Sequence, residues 1–418
     1  MTPVAWHMQV ELSESDSAVA QDEKPLRVGV VGVGARAALA KHAKSLPAVT
    51  VVAAADPSPA ATERVENRLG ESVPLFPTVK ELIDYGIDAC IVTSPDGTHA
   101  DVACELLEAG VAVFLEKPIA ITAEDADRIL KTALHTGSKL YVGHNMRHMD
   151  VVRRMRSLIE AGEIGEVKTI WCRHFVGHGG DFYFKDWHAE RANTTGLLLQ
   201  KGAHDIDVIH WLAGSRTSKV VAMGDLMVYG QVEDRRDNSS LPMGDWFSED
   251  NWPPLSQKNL NPLIDVEDVS MVLMQLESGV LASYQQCHFT PDYWRNYTVI
   301  GTEGRMENFG DGEGGEIRVW KRRSGYRKDA DAVYVLTGDE GGHGDADEAT
   351  VKEFISFVRD GKPTATSPVA ARDAVAAGEA ATRSLREGNF PVDVPPAEPA
   401  VEAYFIAGQG KLSEEFPI

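Results

Sequence analysis

A glycine turn between a predicted strand and a predicted helix constrains the fold of this chain more than any other feature. The β-branched residues 27–31 predict a strand, and the segment after the turn predicts a helix. Gly32 permits the tight turn, Gly34 lets the backbone approach a phosphate, and the helix N-terminus supplies free N–H groups. Ala37 takes the third small position, where the helix must lie close to the strand. The pattern predicts a pyrophosphate-binding turn in a parallel α/β fold.

An acidic residue follows the second predicted strand. Residues 49–55 predict that strand, and Asp56 comes directly after it, about 20 residues beyond the turn. A carboxylate there accepts hydrogen bonds from both ribose hydroxyls of NAD, whereas it would repel the 2′-phosphate of NADP. We therefore expect NAD as the cofactor. The competing interpretation is an aspartate that only caps the turn before Pro57.

Composition limits the classes of protein to which this chain can belong. Its 418 residues, 43% of them hydrophobic, are enough for two domains with separate cores. The formal net charge of −22 disfavours nucleic acid and anionic membrane surfaces as partners. The four cysteines show no paired spacing, which predicts reduced thiols and a cytoplasmic protein. Residues 1–24 are polar and acidic, so we expect a flexible arm rather than a signal peptide.

Further strands and helices alternate along the first third of the chain. Residues 89–93, 111–115 and 140–143 predict strands, and residues 98–109 predict one of the helices between them. This alternation is typical of parallel βαβ units, in which ligands collect at the carboxyl ends of the strands. We expect a dinucleotide-binding Rossmann domain over residues 25–145.

Two of those strand ends carry unusual chemistry. One is the turn from Ser94 to His99, which offers hydroxyl and carboxylate groups. The other is Glu116-Lys117-Pro118, where the proline prevents the strand from continuing through Lys117. In this order with the glycine turn, these motifs resemble the Gfo/Idh/MocA family of NAD(P)-dependent oxidoreductases, which includes glucose-fructose oxidoreductase and inositol dehydrogenases.

The resemblance implies a fold, a ligand class and a set of cofactor contacts. It implies a doubly wound parallel Rossmann sheet, then an α/β domain whose large, open, mainly antiparallel sheet commonly forms oligomer contacts. NAD and a sugar, glycoside or cyclitol would lie between the two domains, in a homodimer or homotetramer. We expect the second domain over residues 146–396, with an inserted loop at 231–263, and a C-terminal extension over 397–418. The expected cofactor-binding residues are Gly32, Gly34, Ala35, Arg36, Asp56, Ser94, Pro95, Asp96, His99, Glu116, Lys117 and Asn145.

A second chemical centre lies in a predicted helix near residue 200, where Gln200, His204 and Asp207 share one face. The family commonly carries an aspartate four residues before this histidine, completing a Lys, Asp and His site, and here that position is Gln200. An amide binds a hydroxyl group but takes up no proton at ordinary pH. We therefore expect His204 to act as the base and Lys117 to stabilise the developing alkoxide. The alternative for His204 is a structural histidine.

Polar and aromatic residues around this helix predict a sugar pocket, because aromatic faces suit the C–H faces of sugars. The expected substrate-binding residues are Lys117, His178, Trp187, Gln200, Lys201, His204 and His288. Lys201 is either an additional cation of the site or a solvated residue paired with Asp205. A structural role is the favoured interpretation for His288. Linear proximity also suggests an anionic substrate held by Arg173, Lys185, Arg191 and Lys201.

The remaining segments leave alternatives open. His174 and His178 have a spacing that two metal ligands can adopt on a helix, but their neighbours favour a strand and loop, so we expect no metal. The insertion at residues 231–263 either covers the substrate cleft or contacts another subunit. Three functions remain: an NAD-dependent sugar or cyclitol dehydrogenase, a redox glycosidase or lyase that recycles NADH, and a catalytically inactive dinucleotide sensor.

Overall fold

A parallel sheet forms the first half of the fold. The computed structural model describes residues 24–239, 241, 243–337 and 344–410, so nearly all of the predicted N-terminal arm and the last part of the predicted extension lie outside the described residues. The strands of this sheet are β1 (Leu26–Val31), β2 (Val49–Ala55), β3 (Leu75–Phe76), β4 (Ala89–Val92), β5 (Ala112–Leu115) and β6 (Leu140–Val142). They pair in the order β3-β2-β1-β4-β5-β6, with every pairing parallel.

The first five of the following helices connect these strands, and the sixth leads from β6 to the second sheet. They are α1 (Leu39–Lys44), α2 (Ala61–Leu69), α3 (Val79–Asp84), α4 (His99–Glu108), α5 (Ala123–Thr136) and α6 (Asp150–Glu160). Sequence signals set the ends of α5: the Thr122 side chain accepts a hydrogen bond from the Asp125 N–H at 3.1 Å, and Gly137 adopts the left-handed conformation after the last turn. The strand order reverses between β1 and β4, so the cleft beyond their carboxyl ends is the expected ligand site.

A second, mixed sheet follows. Short helices precede its second strand: α7 (Gly179–Tyr183), α8 (Arg191–Thr194), α9 (Leu197–Gln200) and α10 (Gly202–Ala213). The strands are β7 (Val167–Phe175), β8 (Thr217–Asp225), β9 (Val269–Leu276), β10 (Leu281–Cys287), β11 (Trp294–Gly301), β12 (Arg305–Phe309), β13 (Glu316–Trp320), β14 (Ala332–Val335) and β15 (Val392–Asp393). Only β7 and β10 pair in parallel within this described sheet; its other pairings are antiparallel.

The last helices of the chain return to the first sheet. They are α11 (Gly344–Asp360), α12 (Pro368–Arg386) and α13 (Pro399–Ile406). Phe354 of α11 packs in one core with Val28 of β1, and Phe405 of α13 shares another core with residues of α5. We placed α11 in the second domain and α13 in the extension by their position in the sequence. Their apolar faces nevertheless pack against the first sheet, where that surface is removed from water.

The predicted fold class is confirmed. A Rossmann-type parallel sheet is followed by an α/β region with a mainly antiparallel sheet. The four cysteines are free thiols. No helix in the described part of the chain is both long enough and apolar enough to cross a membrane.

Candidate functional site

Two turns meet at the carboxyl ends of β1 and β4. Gly32 has a φ of +87°, and a Cβ atom there would lie 2.6 Å from the Ser94 backbone, so only glycine fits. The Thr93 hydroxyl donates a hydrogen bond of 2.7 Å to the Gly32 carbonyl and joins the two turns. A Cβ atom at Gly34 would meet no atom within 4 Å. Gly34 therefore faces open space, as a backbone that approaches a pyrophosphate must.

Asp56 orders the same turn. One carboxylate oxygen accepts a hydrogen bond of 2.7 Å from the Val33 N–H, and the other accepts one of 2.8 Å from the Ser58 N–H. The side chain is half-buried, and each oxygen retains a second lone pair for a ligand hydroxyl. The two interpretations of Asp56, turn capping and ribose binding, are therefore compatible.

Arg36 connects the glycine turn to two other elements. Its guanidinium contacts Glu116 at 2.6 Å and forms a bidentate ion pair with Asp347 of α11, at 2.6 and 2.9 Å. The Asn145 amide donates a hydrogen bond of 2.7 Å to the same Asp347 carboxylate. Arg36, Glu116 and Asn145 were expected to contact the cofactor. In the structure they form a network that fixes the position of Lys117, the residue after Glu116.

His99 joins the two turns that contain Ser94 and Lys117. Its side chain has no exposed surface, and its ring nitrogens lie 2.7 Å from the Pro118 carbonyl and 3.0 Å from the Ser94 carbonyl. These contacts give it a positioning role between the two turns, and its binding to the cofactor stays a prediction.

Lys117 lies where the two halves of the fold approach each other. The Lys117–Pro118 peptide bond is cis. Burial lowers the pKa of Lys117, and the charge of Asp96 opposes that effect only in part. Burial likewise raises the pKa of Asp96, whose carboxylate also contacts the Gln200 side chain. Gln200 of α9 and Lys117 of the Rossmann turn are thus brought together around Asp96.

His204 lies in the first turn of α10, and its side chain is buried. Its ring centre is 6.4 Å from that of His144, and the His144 Nδ1 lies 3.3 Å from the Asp207 carboxylate. Burial alone would raise the pKa of Asp207, but the charge of Arg147, at 2.7 Å, outweighs it and lowers that pKa well below its usual range. His204 and Asp207 lie on α10, whereas Gln200 is the last residue of the separate helix α9, so the single helix predicted for the three residues is interrupted.

A cluster around Asp205 was missed by sequence reasoning. This buried carboxylate accepts hydrogen bonds from Tyr297 at 2.5 Å and Tyr284 at 3.1 Å, and it lies 3.0 Å from the His174 Nδ1 and 3.1 Å from the Arg295 Nε. Burial, then the charge of Arg295, lower the pKa of His174 to about 3, so its imidazole is neutral. The alternating pattern of β7 was the available signal for His174, which takes one of its inward-facing positions, and Arg295 of β11 pairs opposite it.

Three of the expected substrate-binding residues lie in three separate environments. His178 is half-exposed and contacts Glu249 and Phe247 of the insertion. Trp187 stacks on His188, whose Nδ1 lies 2.6 Å from the Asp186 carboxylate. His288 is fully buried with its Nδ1 3.2 Å from the Asp268 carbonyl, and burial lowers its pKa to about 3. These positions support a structural role for His288 and place His178 against the insertion.

Three of the cations suggested from linear proximity are held by partners within the protein. Arg173 contacts Asn296, Lys185 pairs with Asp181 at 2.8 Å, and Arg191 pairs with Glu267 at 3.2 Å. The binding of an anionic substrate by these residues together with Lys201 stays a prediction. Lys201 is buried between α9 and α10 rather than solvated. The charges that act on its pKa most strongly are those of Arg295 and Lys117.

The insertion contacts α7. The Trp246 indole donates a hydrogen bond of 2.9 Å to the Asp181 carbonyl, and the Asn251 amide donates one of 2.7 Å to the Asp181 carboxylate. No group of three or more His, Cys, Asp or Glu side chains is arranged to hold a metal ion in the parts of the chain that the structure describes.

Two family profiles match most of the chain. Residues 26–144 match the oxidoreductase family, NAD-binding Rossmann fold, and residues 156–394 match the oxidoreductase family, C-terminal alpha/beta domain, both of the Gfo/Idh/MocA group. An inositol 2-dehydrogenase of Rhizobium meliloti is 30% identical over 52% of this chain and 63% of its own length. The rhizopine catabolism protein MocA of Rhizobium meliloti is 25% identical over 86% of this chain and 95% of its own.

A solved structure shows the same architecture. Levoglucosan dehydrogenase in complex with NADH and L-sorbose superposes with a TM-score of 0.73 at 18% identity, covering 89% of this chain and 99% of that one. The chain spans about three fifths of the length of the first curated relatives it matches. The chain belongs to the Gfo/Idh/MocA oxidoreductase family, and its first domain is the NAD-binding Rossmann domain of that family.

Proposed function

We propose that this protein oxidises a secondary hydroxyl group of a sugar, glycoside or cyclitol, with NAD as the hydride acceptor. Buried polar atoms without a hydrogen-bond partner in the described residues carry this proposal. They are Asp96 Oδ2, His144 Nε2, Asn145 Oδ1, His174 Nε2 and Gln200 Oε1. Buried polar atoms without partners are costly, and a ligand with several hydroxyl groups supplies donors and acceptors for all of them.

The cofactor site fits NAD. The open face of Gly34 leaves room for the pyrophosphate, and Asp56 retains lone pairs for the ribose hydroxyls. When bound, NAD supplies a nicotinamide that accepts hydride. The Ser94 turn and Lys117 lie at the strand ends that would flank it. The names of relatives agree with a polyol or sugar as substrate, since they include inositol 2-dehydrogenases.

The residues of the chain take separate roles in this proposal. His204 takes the hydroxyl proton, and the Lys117 ammonium stabilises the developing alkoxide. Gln200 donates to Asp96 and offers its free Oε1 to a substrate hydroxyl. Asp207 holds His144 beside His204. Because Gln200 takes no proton, acid–base work falls to His204 and Lys117.

A substrate panel tests this function. Inositols, free hexoses and nitrophenyl glycosides are incubated with the protein after its bound NAD has been measured. We expect NADH absorbance to rise with at least one polyol or sugar. Release of nitrophenol without NADH would instead favour the redox glycosidase, which returns the hydride to its substrate. NAD binding without any turnover would support the sensor alternative.

We also propose a homo-oligomer formed through the second sheet. Trp171, Met271 and Leu273 lie on one outward face, where neighbouring strands place Leu273 opposite Ser283, and Ser283 opposite Trp171. All three side chains are exposed, Leu273 at 65%. Exposed contiguous apolar surface of this kind marks an interaction site.

The Leu273→Asp variant is expected to dissociate the oligomer, because a carboxylate buried without a partner in an apolar interface carries a large desolvation cost. Light scattering should give a multiple of 45.5 kDa for the native protein and the single-chain mass for the variant. Tyr326→Asp is the matched control, since Tyr326 is 95% exposed outside this face. A native protein that is already monomeric contradicts the proposal.

A further inference from the structure

Lys201 is a buried lysine that forms no ion pair with any residue the structure describes. Its side chain is only 7% exposed, and it lies between α9 and α10. Within the described residues its ammonium makes no ion pair or hydrogen bond, and its Nζ lies 5.6 Å from the centre of the Tyr183 ring. Buried lysines are almost always paired, because desolvation of an ammonium group without a partner is costly. A ligand is the natural source of the missing negative charge.

The neighbouring charges do not supply that counterion. Arg295 and Lys117 add positive charge near Lys201, while the nearby carboxylates are those of Asp205 and Asp311. Asp205 is already engaged by Arg295, His174 and two tyrosines, and Asp311 lies 3.9 Å from Arg295.

The histidines and tyrosines around Lys201 provide no negative charge near pH 7. Burial lowers the pKa of His174 and of His288 to about 3, and burial raises the pKa values of Tyr183 and Tyr293 above their ordinary range. These groups are therefore neutral near pH 7. None of these four groups therefore supplies a negative charge that could pair with Lys201.

Arg295 offers a second free donor at the same place. Its side chain is 1% exposed, and its Nη2 makes no hydrogen bond within the described residues. The charge of Arg295 lowers the pKa of Lys201 more than the charge of any other residue does. A carboxylate that bound the Lys201 ammonium would also be attracted by the charge of Arg295.

We propose that Lys201, with Arg295 beside it, binds a carboxylate group of the substrate, which makes the substrate a sugar acid such as a uronic acid or its glycoside. The inference rests on the proposed function, since it names the substrate class of that site. The proposed pair of cations differs from the group suggested by linear proximity, since Arg295 of β11 takes the place of Arg173, Lys185 and Arg191.

The test compares acids with matched neutral sugars. D-glucuronate and D-galacturonate, their methyl esters, and the corresponding hexoses are titrated by calorimetry into the protein saturated with NADH. We expect each acid to bind at least tenfold more tightly than its methyl ester. The Lys201→Met variant should lose most of that preference while losing much less affinity for the neutral sugars. Lys201→Arg, which keeps the charge, should retain the preference.

Proton uptake gives an independent readout. Burial, followed by the charges of Arg295 and Lys117, holds the pKa of free Lys201 well below its ordinary value, and a bound carboxylate raises it again. Acid binding should therefore take up a proton at pH values between the pKa of free Lys201 and that of bound Lys201, seen as a heat that depends on buffer ionisation, and affinity should fall as the pH rises. Lys201→Met should abolish the uptake. Because Lys201 has no ion pair to lose, its replacement by methionine should leave the melting temperature unchanged or higher.

The outcomes separate this inference from the proposed function. Turnover of neutral polyols, with acids bound no better than their esters, overturns the inference and leaves the proposed function intact. Acid binding with proton uptake but no NADH from any compound supports the subsite and contradicts the dehydrogenase. Failure of every acid to bind, or an equal loss of acid and neutral affinity in Lys201→Met, contradicts the carboxylate subsite.

Discussion

Replacement of Lys117 by methionine is expected to lower kcat/KM by about 10²–10³-fold, the usual effect of removing one positioned charge from an active site. Methionine keeps the length and apolar stem of the side chain but cannot stabilise an alkoxide. Burial lowers the pKa of Lys117, so the charged form is already disfavoured and its loss should cost little folding free energy. Steady-state kinetics and thermal unfolding on the same sample measure the two effects.

The pH profile adds a second measurement for Lys117. If the charged ammonium is required, activity should fall as the pH rises through its pKa. Because burial lowers the pKa of Lys117, activity should begin to fall at a pH below the ordinary lysine pKa of about 10.4. The alkaline fall should be absent from the residual activity of Lys117→Met. An unchanged profile together with native turnover would remove Lys117 from the proposed catalytic site.

Lys139→Met is the matched control for Lys117→Met. Burial also lowers the pKa of Lys139, but its ammonium donates hydrogen bonds of 2.7 and 3.0 Å to the Phe357 and Val358 carbonyls. Its replacement leaves those carbonyls without their donor, so we expect a lower melting temperature with native kcat. The opposite pattern in the two variants would separate a catalytic lysine from a structural one.

Two glycines of one turn should respond to alanine in opposite ways. Gly32→Ala is expected to destabilise the fold, because its Cβ would lie 2.6 Å from the Ser94 backbone at a φ of +87°. Such backbone strain alone costs about 1–3 kcal/mol, and the overlap adds to it. Gly34→Ala should keep the native melting temperature, since its Cβ meets no atom within 4 Å.

For NAD affinity, we expect a clear loss in the Gly34→Ala variant, the one that keeps its melting temperature. The Gly34 methyl group would fill the space where the pyrophosphate approaches, so we expect NAD to bind at least about tenfold more weakly, or about 1.4 kcal/mol. Calorimetric titration with NAD and thermal unfolding with and without NAD measure both quantities. A stable Gly32→Ala protein contradicts the described packing, and native NAD affinity in Gly34→Ala contradicts the placement of the cofactor.

The first sheet could be predicted from the sequence because its signals are local. The predicted strand at residues 49–55 matches β2, and the strand before the glycine turn matches β1 within one residue. The strand β3 was missed because two residues show no periodicity. The break between α9 and α10 was also missed, since the residues around Lys201 continue a helical pattern.

The candidate site could be predicted only in part. Lys117, Gln200 and His204 were found because they lie in short motifs, and their assigned roles remain predictions. His174 and Arg295 were not connected with Asp205, because they lie on different strands and meet only when the second sheet forms. Asp347 was missed as the partner of Arg36, since α11 lies more than 300 residues beyond the glycine turn.

The sequence by itself determined the Rossmann architecture, the NAD-binding turn and the family, because glycine conformation, strand periodicity and short motifs act over neighbouring residues. Only the tertiary structure decided which charges meet. It placed Arg36 against Glu116 and Asp347, and it buried Lys201 beside Arg295 with no carboxylate of its own. The physical reason is that ionic interactions depend on distance and burial, which are set when separate elements pack together.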